Sequence, residues 1–157
     1  MPAFLLHGWM PDAYRAAPLP VFVVFSGVLA KVGAYGFLRV VLPLFPDATI
    51  QFQEVVLVIA LASILYGSVM AFTQTNVRLV AGYSSVAQLG FITAGIFALR
   101  ADGADGAVLQ MVNHGLVVAP LFIIVAVLAE RSGSEDLREM GGMAMRAPVL
   151  AALFLIV

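Results

Sequence analysis

Cysteine is absent from this 157-residue chain. That excludes disulfide frameworks, thiolate metal sites, iron–sulfur clusters ligated by this chain and a cysteine nucleophile. Charge is scarce: Asp, Glu, Lys and Arg together make up 11% of the residues and sum to −1. A nucleic-acid partner, which requires clustered basic charge, is therefore not expected. Only two histidines occur, His7 and His114, and they lack metal-ligand spacing. P-loop, GxGxxG, HExxH and GxSxG motifs are missing as well. What fills the chain instead is apolar: 62% of the residues are hydrophobic and mean hydropathy is +1.05. A soluble domain of this size cannot bury so much apolar surface, because charged residues normally approach a quarter of such a chain. Disorder is excluded by the same numbers. An integral membrane protein remains.

Its organisation follows from the bilayer. About 20 apolar residues cross the roughly 30 Å hydrocarbon layer as a helix. Four such runs are predicted, over Leu19–Leu42, Glu54–Phe72, Arg78–Leu99 and Ala107–Ala129. No alternating ten-residue segments of a membrane barrel are present. The expected class is an all-α polytopic transmembrane helix bundle, one membrane domain over 1–157. The runs 1–10 and 147–157 are too short to cross and read as partial spans, so a chain cut at both ends is expected. Residues 1–10 lack a basic n-region and a cleavage pattern, which argues against a secretory signal. Arg15, Arg78, Arg131, Arg138 and Arg146 fall on one face of the alternating loops, with Arg39 and Arg100 on the other. The positive-inside rule makes the first face cytoplasmic. Gly27, Ala30 and Ala34, and Gly82, Gly90 and Gly95, supply small surfaces where helices can meet closely.

Against this apolar background, polar groups inside the spans stand out. Lys31 lies twelve residues before Pro43, or roughly 18 Å of helix, and so near the midplane. An ammonium there costs from roughly 3 to over 10 kcal/mol. A lysine that must be charged in such a place only when something compensates it is a proton-relay candidate. The competing role is a structural ion pair. None of the nine acidic residues falls within the interior of a span, so any counter-charge must come from water or from other protein. His114 shares a helix face with Gln110 and adjoins Asn113, and an imidazole can pass a proton through either nitrogen. A histidine satisfied by a neighbouring helix is the alternative. Pro120 removes a backbone donor six residues on and frees the Leu116 carbonyl, which suggests local hydration. Ser84, Ser85 and Gln88 can hydrogen-bond water or a facing helix but do not titrate near neutrality. Arg78 stays charged and cannot relay.

The stretches His7–Ala17 (HGWMPDAYRAA) and Gly27–Arg39 (GVLAKVGAYGFLR) resemble the subunit M (chain 4) family of respiratory complex I, the proton-translocating NADH:quinone oxidoreductase. PLFP at 43–46, MAFTQT at 70–75, YSSVAQLGF at 83–91, QMVNHGL at 110–116 and ERSGSEDLREMGG at 130–142 extend the resemblance along the whole chain. The resemblance implies a larger antiporter-like bundle with two inverted repeats, of which this chain would hold the eighth to eleventh helices. It implies that Lys31 is the central lysine of the eighth helix and His114 the histidine of the eleventh, both in proton transfer. Gln88, Ser84, Ser85, Gln110 and Asn113 would be polar supports along the path. Two departures stand out: Gln88 replaces the tenth-helix histidine, and Asn76 the usual aspartate. Gln88 can orient water but cannot carry a proton. The resemblance further implies an enzyme subunit without a redox centre of its own, with NADH, FMN, iron–sulfur clusters and quinone bound by other subunits. Its expected partners are those membrane subunits, the lipid bilayer and protons, with a bacterial inner membrane as the expected location. The alternatives are a homologous subunit of a multi-subunit cation/proton antiporter or membrane-bound hydrogenase, and an inactive truncated fragment.

Overall fold

A computed structural model describes residues 3–156. The secondary structure among them is helical, apart from one isolated bridge between Asn76 and Asp136. Residues 3–9 form turns. The expected partial span 1–10 therefore includes two residues outside the described ones, Met1 and Pro2, and no spanning helix in the remainder. Helix α1 follows at Met10–Ala16. Among the described residues four helices are long and apolar enough to cross a membrane: α2 (Pro20–Leu44), α3 (Pro46–Thr73), α4 (Val77–Phe97) and α5 (Ala101–Ser132). Two short helices end the chain, α6 (Met143–Arg146) and α7 (Pro148–Ile156); Val157, the end of the run 147–157, lies outside the described residues.

Local chemistry sets the boundaries. Pro18 precedes α2 and Pro20 sits in its first turn, where proline costs no helical hydrogen bond. The stretch 43–53 reads as a connection in the sequence, yet α3 already starts at Pro46. Proline is pre-set for a first helical position, Asp47 favours the positive N-terminal end, and Thr49 Oγ1 donates to the Phe45 carbonyl at 2.8 Å. Only Phe45, at φ −130°, ψ 60°, breaks the chain between α2 and α3. Asn76 caps α4: its side-chain oxygen accepts from the Arg78 and Leu79 amides, as an N-cap should. α4 stops at Phe97, and Leu99 takes φ 52°, unusual for a residue with a Cβ. Gly133, at φ 73°, closes α5 in the left-handed form glycine adopts without strain.

Helix α4 is the centre of the bundle, with α3 on one side and α5 on the other; α1 packs against α4, and α2 packs mainly against α5. Small residues permit this. A Cβ at Gly67 would lie 2.7 Å from the Ala87 nitrogen, and one at Gly90 would lie 2.8 Å from the Ala60 carbonyl oxygen. At the far end Gly95 of α4 meets Gly103 of α5, a Cβ at Gly95 lying 2.8 Å from the Gly103 oxygen. Two apolar cores result. One gathers Met10, Tyr14, Phe22, Val86 and Phe122, the other Ala34, Leu89, Ile92, Ile96 and Phe97. The outer face of α3 exposes Val55, Val58, Leu61, Leu65 and Val69. In a bilayer that row faces hydrocarbon at no cost, since lipid is as apolar as leucine.

Candidate proton-transfer site

Lys31 is buried, at 8% exposure, on the inner side of α2. It is flanked by two π-helical stretches, Phe25–Leu29 and Phe37–Val41. A π turn shifts backbone hydrogen bonds from the i+4 to the i+5 partner and widens the helix, which allows a carbonyl to take an outside donor. Here the outside donor is the lysine itself: Nζ donates to the Ser26 carbonyl at 2.6 Å. Among the described residues the only ion pair is Arg78–Glu135, so no carboxylate holds the amine. A backbone carbonyl accepts a hydrogen bond from the amine, charged or neutral, and supplies no counter-charge.

His114 is buried on α5, and neither Nδ1 nor Nε2 has a hydrogen-bond partner among the described residues. Glycines bring its helix against α2. A Cβ at Gly115 would lie 3.1 Å from the Gly27 carbonyl oxygen, inside ordinary contact distance. This near-touch of backbones sets the helix of His114 against the helix of Lys31.

Beside His114 a cavity of about 400 Å³ opens between α4 and α5. Ser84, Gln88, Gln110, Asn113 and His114 all line it, with Phe154 of α7 at its edge. Gln110 Nε2 donates to Gln88 Oε1 at 2.6 Å across the gap. Five of the seven residues singled out from sequence thus meet at one polar wall. Lys31 does not line the cavity. Ser85 points elsewhere: fully buried, its hydroxyl donates to the Ala81 carbonyl of its own helix at 2.9 Å. Pro120 sits within α5, which continues through it.

Two site residues escaped sequence reasoning. Ser26 supplies the carbonyl for Lys31, five positions earlier, a spacing that signals contact only in a π turn. Tyr14 on α1 packs against the same stretch. Arg78, read only as a fixed charge, is a structural hub. Its Nε pairs with Glu135 Oε1 at 2.7 Å and its Nη1 donates to the Ala17 carbonyl at 3.1 Å. Its guanidinium also lies 5.9 Å from the Phe22 ring centroid.

Comparisons with known proteins agree with the helical membrane fold. The chain is 41% identical over 155 residues to the NADH-quinone oxidoreductase subunit M of Rickettsia prowazekii, covering 99% of this chain and 32% of that protein. It therefore spans about a third of the length of the curated relatives it matches. Among solved structures, a chain of respiratory complex I from Thermus thermophilus superposes with a TM-score of 0.93 at 31% identity, over 99% of this chain and 33% of that one. A chain of the archaeal membrane-bound sulfane sulfur reductase superposes at 0.88 with 26% identity, over 98% and 32%. The family model described as NADH:quinone oxidoreductase/Mrp antiporter, TM, matches residues 1–157. With its buried lysine, histidine-lined cavity and four membrane helices, the chain belongs to that family of integral membrane proteins.

Proposed function

We propose that this chain carries part of the proton path of subunit M in a proton-translocating NADH:quinone oxidoreductase, in a bacterial inner membrane. The observation that carries the reading is Lys31: a buried amine held by the Ser26 carbonyl at 2.6 Å, with no carboxylate in ion-pair range among the described residues. Such an amine is poised between its charged and neutral forms, and neighbouring charge decides which it takes. Lys31 holds the proton near the midplane. His114 accepts it on an unpartnered ring nitrogen and passes it to water along the Gln110–Gln88 wall. The glutamines orient that water by offering both donors and acceptors. NADH, FMN, iron–sulfur clusters and quinone belong to other subunits in this reading, and charge changes in those neighbours drive the lysine. The relatives' names and the Thermus thermophilus match support the assignment.

Replacing Lys31 by Ala in the full-length subunit of the intact assembly tests the role. Proton translocation in proteoliposomes should fall at least tenfold per quinone reduced. Unchanged pumping with intact quinone reduction would remove Lys31 from the path.

A second reading places the same helices in a cation/proton antiporter or another respiratory membrane complex. The match to the sulfane sulfur reductase, whose title describes an archaeal respiratory membrane complex, favours keeping it in view. Genes for NADH-binding and cluster-bearing subunits beside the coding sequence discriminate in favour of complex I.

A further inference from the structure

Two cavities lie end to end between α4 and α5. The inner one, about 400 Å³, has the imidazole of His114 in its wall. The outer one, about 480 Å³, is bounded by Phe91 and Gly95 of α4 and by Asp102, Gly103, Gly106 and Ala107 of α5. Gln88 and Gln110 line both. Their side chains meet across the groove, Gln110 Nε2 donating to Gln88 Oε1 at 2.6 Å, so one hydrogen bond stands where the first cavity gives way to the second. Helical register explains the alignment. Asp102, Gly106, Gln110 and His114 follow at intervals of four on α5, and positions four apart form one slanting row on a helix surface. The row runs from a buried imidazole to an exposed carboxylate in the first turn of α5, over roughly 18 Å at the helical rise. Gly106 is its open point. Gly95 and Gly103 let the two backbones touch, a Cβ at Gly103 lying 2.6 Å from the Gly95 carbonyl oxygen, whereas a Cβ at Gly106 would meet nothing within 4 Å. Packing therefore does not require glycine at 106, where it costs stability relative to alanine. What the missing side chain preserves is the outer cavity.

We propose that the Gln88–Gln110 bond is the gate of an outlet leading protons from His114, through the vestibule at Gly106, to the mouth at Asp102. The proposal rests on the reading of this chain as a proton carrier. Each cavity has room for several waters, since a water molecule in the liquid occupies about 30 Å³. With the gate closed, the two amides satisfy each other. With it open, Gln110 Nε2 donates to one water and Gln88 Oε1 accepts from another, and the water of the two cavities becomes continuous. A protonated His114 then gives its proton to the adjoining water, each water passes one of its own to the next, and the last releases one at the mouth. His114 ends neutral, the waters end as they began, and one proton has moved. Gln88 and Gln110 are positioning residues, since they orient water and transfer nothing. Asp102 and Asp105 outnumber Arg100 around the start of α5, and a net negative mouth draws a cation outward. This end lies opposite the face of Arg15 and Arg78, so by the distribution of arginines the outlet leaves on the non-cytoplasmic side.

Gln110→Ala removes the donor and empties the gap, while Gly106→Leu puts a side chain into the vestibule with no neighbour to displace at its Cβ. Both belong in the full-length subunit within the intact assembly, reconstituted in proteoliposomes. Passive proton leak under an imposed pH gradient is measured without NADH, and pumping and quinone reduction with it. Gln110→Ala should raise the leak at least fivefold, about the factor that one hydrogen bond holds back. Gly106→Leu should slow pumping about fivefold with quinone reduction intact, and the double variant should leak no more than wild type. Val108→Leu, on the same helix but lining neither cavity, should change nothing. If Gln110→Ala leaks no faster than wild type, the glutamines gate nothing; if Gly106→Leu fails to close the leak, the leak is a packing defect. Either result overturns the proposal. If Lys31→Ala abolishes pumping while Gln110→Ala stays tight, the gate is wrong and the lysine reading stands. If Lys31→Ala pumps normally while the Gln110→Ala leak appears and closes as stated, the lysine reading fails and the outlet stands. Should Gly106→Leu not assemble, the leak of Gln110→Ala alone decides.

Discussion

Arg78 offers the sharpest test of how this bundle is held together. It stands at the N-terminus of α4 and touches three other segments: Glu135 beyond α5, the Ala17 carbonyl between α1 and α2, and the Phe22 ring. The ion pair is part-exposed, at 19% and 35% for the two side chains, so solvent screening holds it to about 1 kcal/mol. The hydrogen bond to Ala17 adds about 1 kcal/mol, and the cation–π contact about 0.5–1 kcal/mol. Arg78→Ala should therefore cost about 3 kcal/mol. Glu135→Gln loses only the charge of the pair, because Asn76 Nδ2 still has an acceptor in the amide oxygen and the Val77 amide still donates to the residue 135 carbonyl. Its cost should be about 1 kcal/mol. Arg78→Lys should fall between them, since one ammonium cannot reach both Glu135 and Ala17 as the guanidinium fork does. Denaturant titration of the detergent-solubilised full-length subunit, followed by circular dichroism, reads these as midpoint shifts at constant slope. If Glu135→Gln destabilises as much as Arg78→Ala, the contacts to Ala17 and Phe22 contribute nothing and the hub description is wrong.

Three further outcomes follow from particular contacts. Gly90→Val places a branched side chain where even a Cβ meets the Ala60 carbonyl oxygen at 2.8 Å. It should cost about 3 kcal/mol by separating α3 from α4, seen as loss of the subunit from membranes; normal accumulation contradicts the packing. Gln88→Leu removes the acceptor of the 2.6 Å bond from Gln110 and leaves an unpaired amide at the cavity wall. Pumping should slow about fivefold while quinone reduction persists; equal rates would take Gln88 off the path. Tyr14 is protonated more tightly in the folded protein, its pKa raised above 10.0 mainly by burial. The stability this gives is fully present below pH 10.0 and is lost as pH climbs through the raised folded value. Ultraviolet titration should show one phenol ionising later than exposed tyrosines, and the Tyr14→Phe variant should lack that late step.

Lys31 and His114 were legible in the sequence because an ionisable residue in a hydrophobic run is conspicuous on energy alone. Gln88, Gln110, Ser84 and Asn113 were legible as a polar group on two neighbouring helices, and the structure gathers them around one cavity. Ser85 lies one residue from Ser84 yet faces away, because adjacent helical positions differ by about 100° in direction; which of the two faced the cavity depended on where α5 docked. Helix ends were less legible. The stretch 43–53 read as one connection, whereas Pro43 lies in the last turn of one helix and Pro46 begins the next. Asn76 was legible only as a turn residue, and it caps α4 because its amide oxygen accepts from the Arg78 and Leu79 amides.

By itself the sequence determined that this chain crosses a bilayer as helices, and that an unpaired amine lies deep within one of them. Those facts follow from composition and from the length of apolar runs, which are properties of the chain before any helix meets another. Only the tertiary structure decided what the amine touches. The π-widened turn that presents the Ser26 carbonyl has no sequence signature. The approach of Gly115 to Gly27 and the placement of Tyr14 over Gly82 depend on backbones meeting at van der Waals distance. Packing between distant segments settled those contacts.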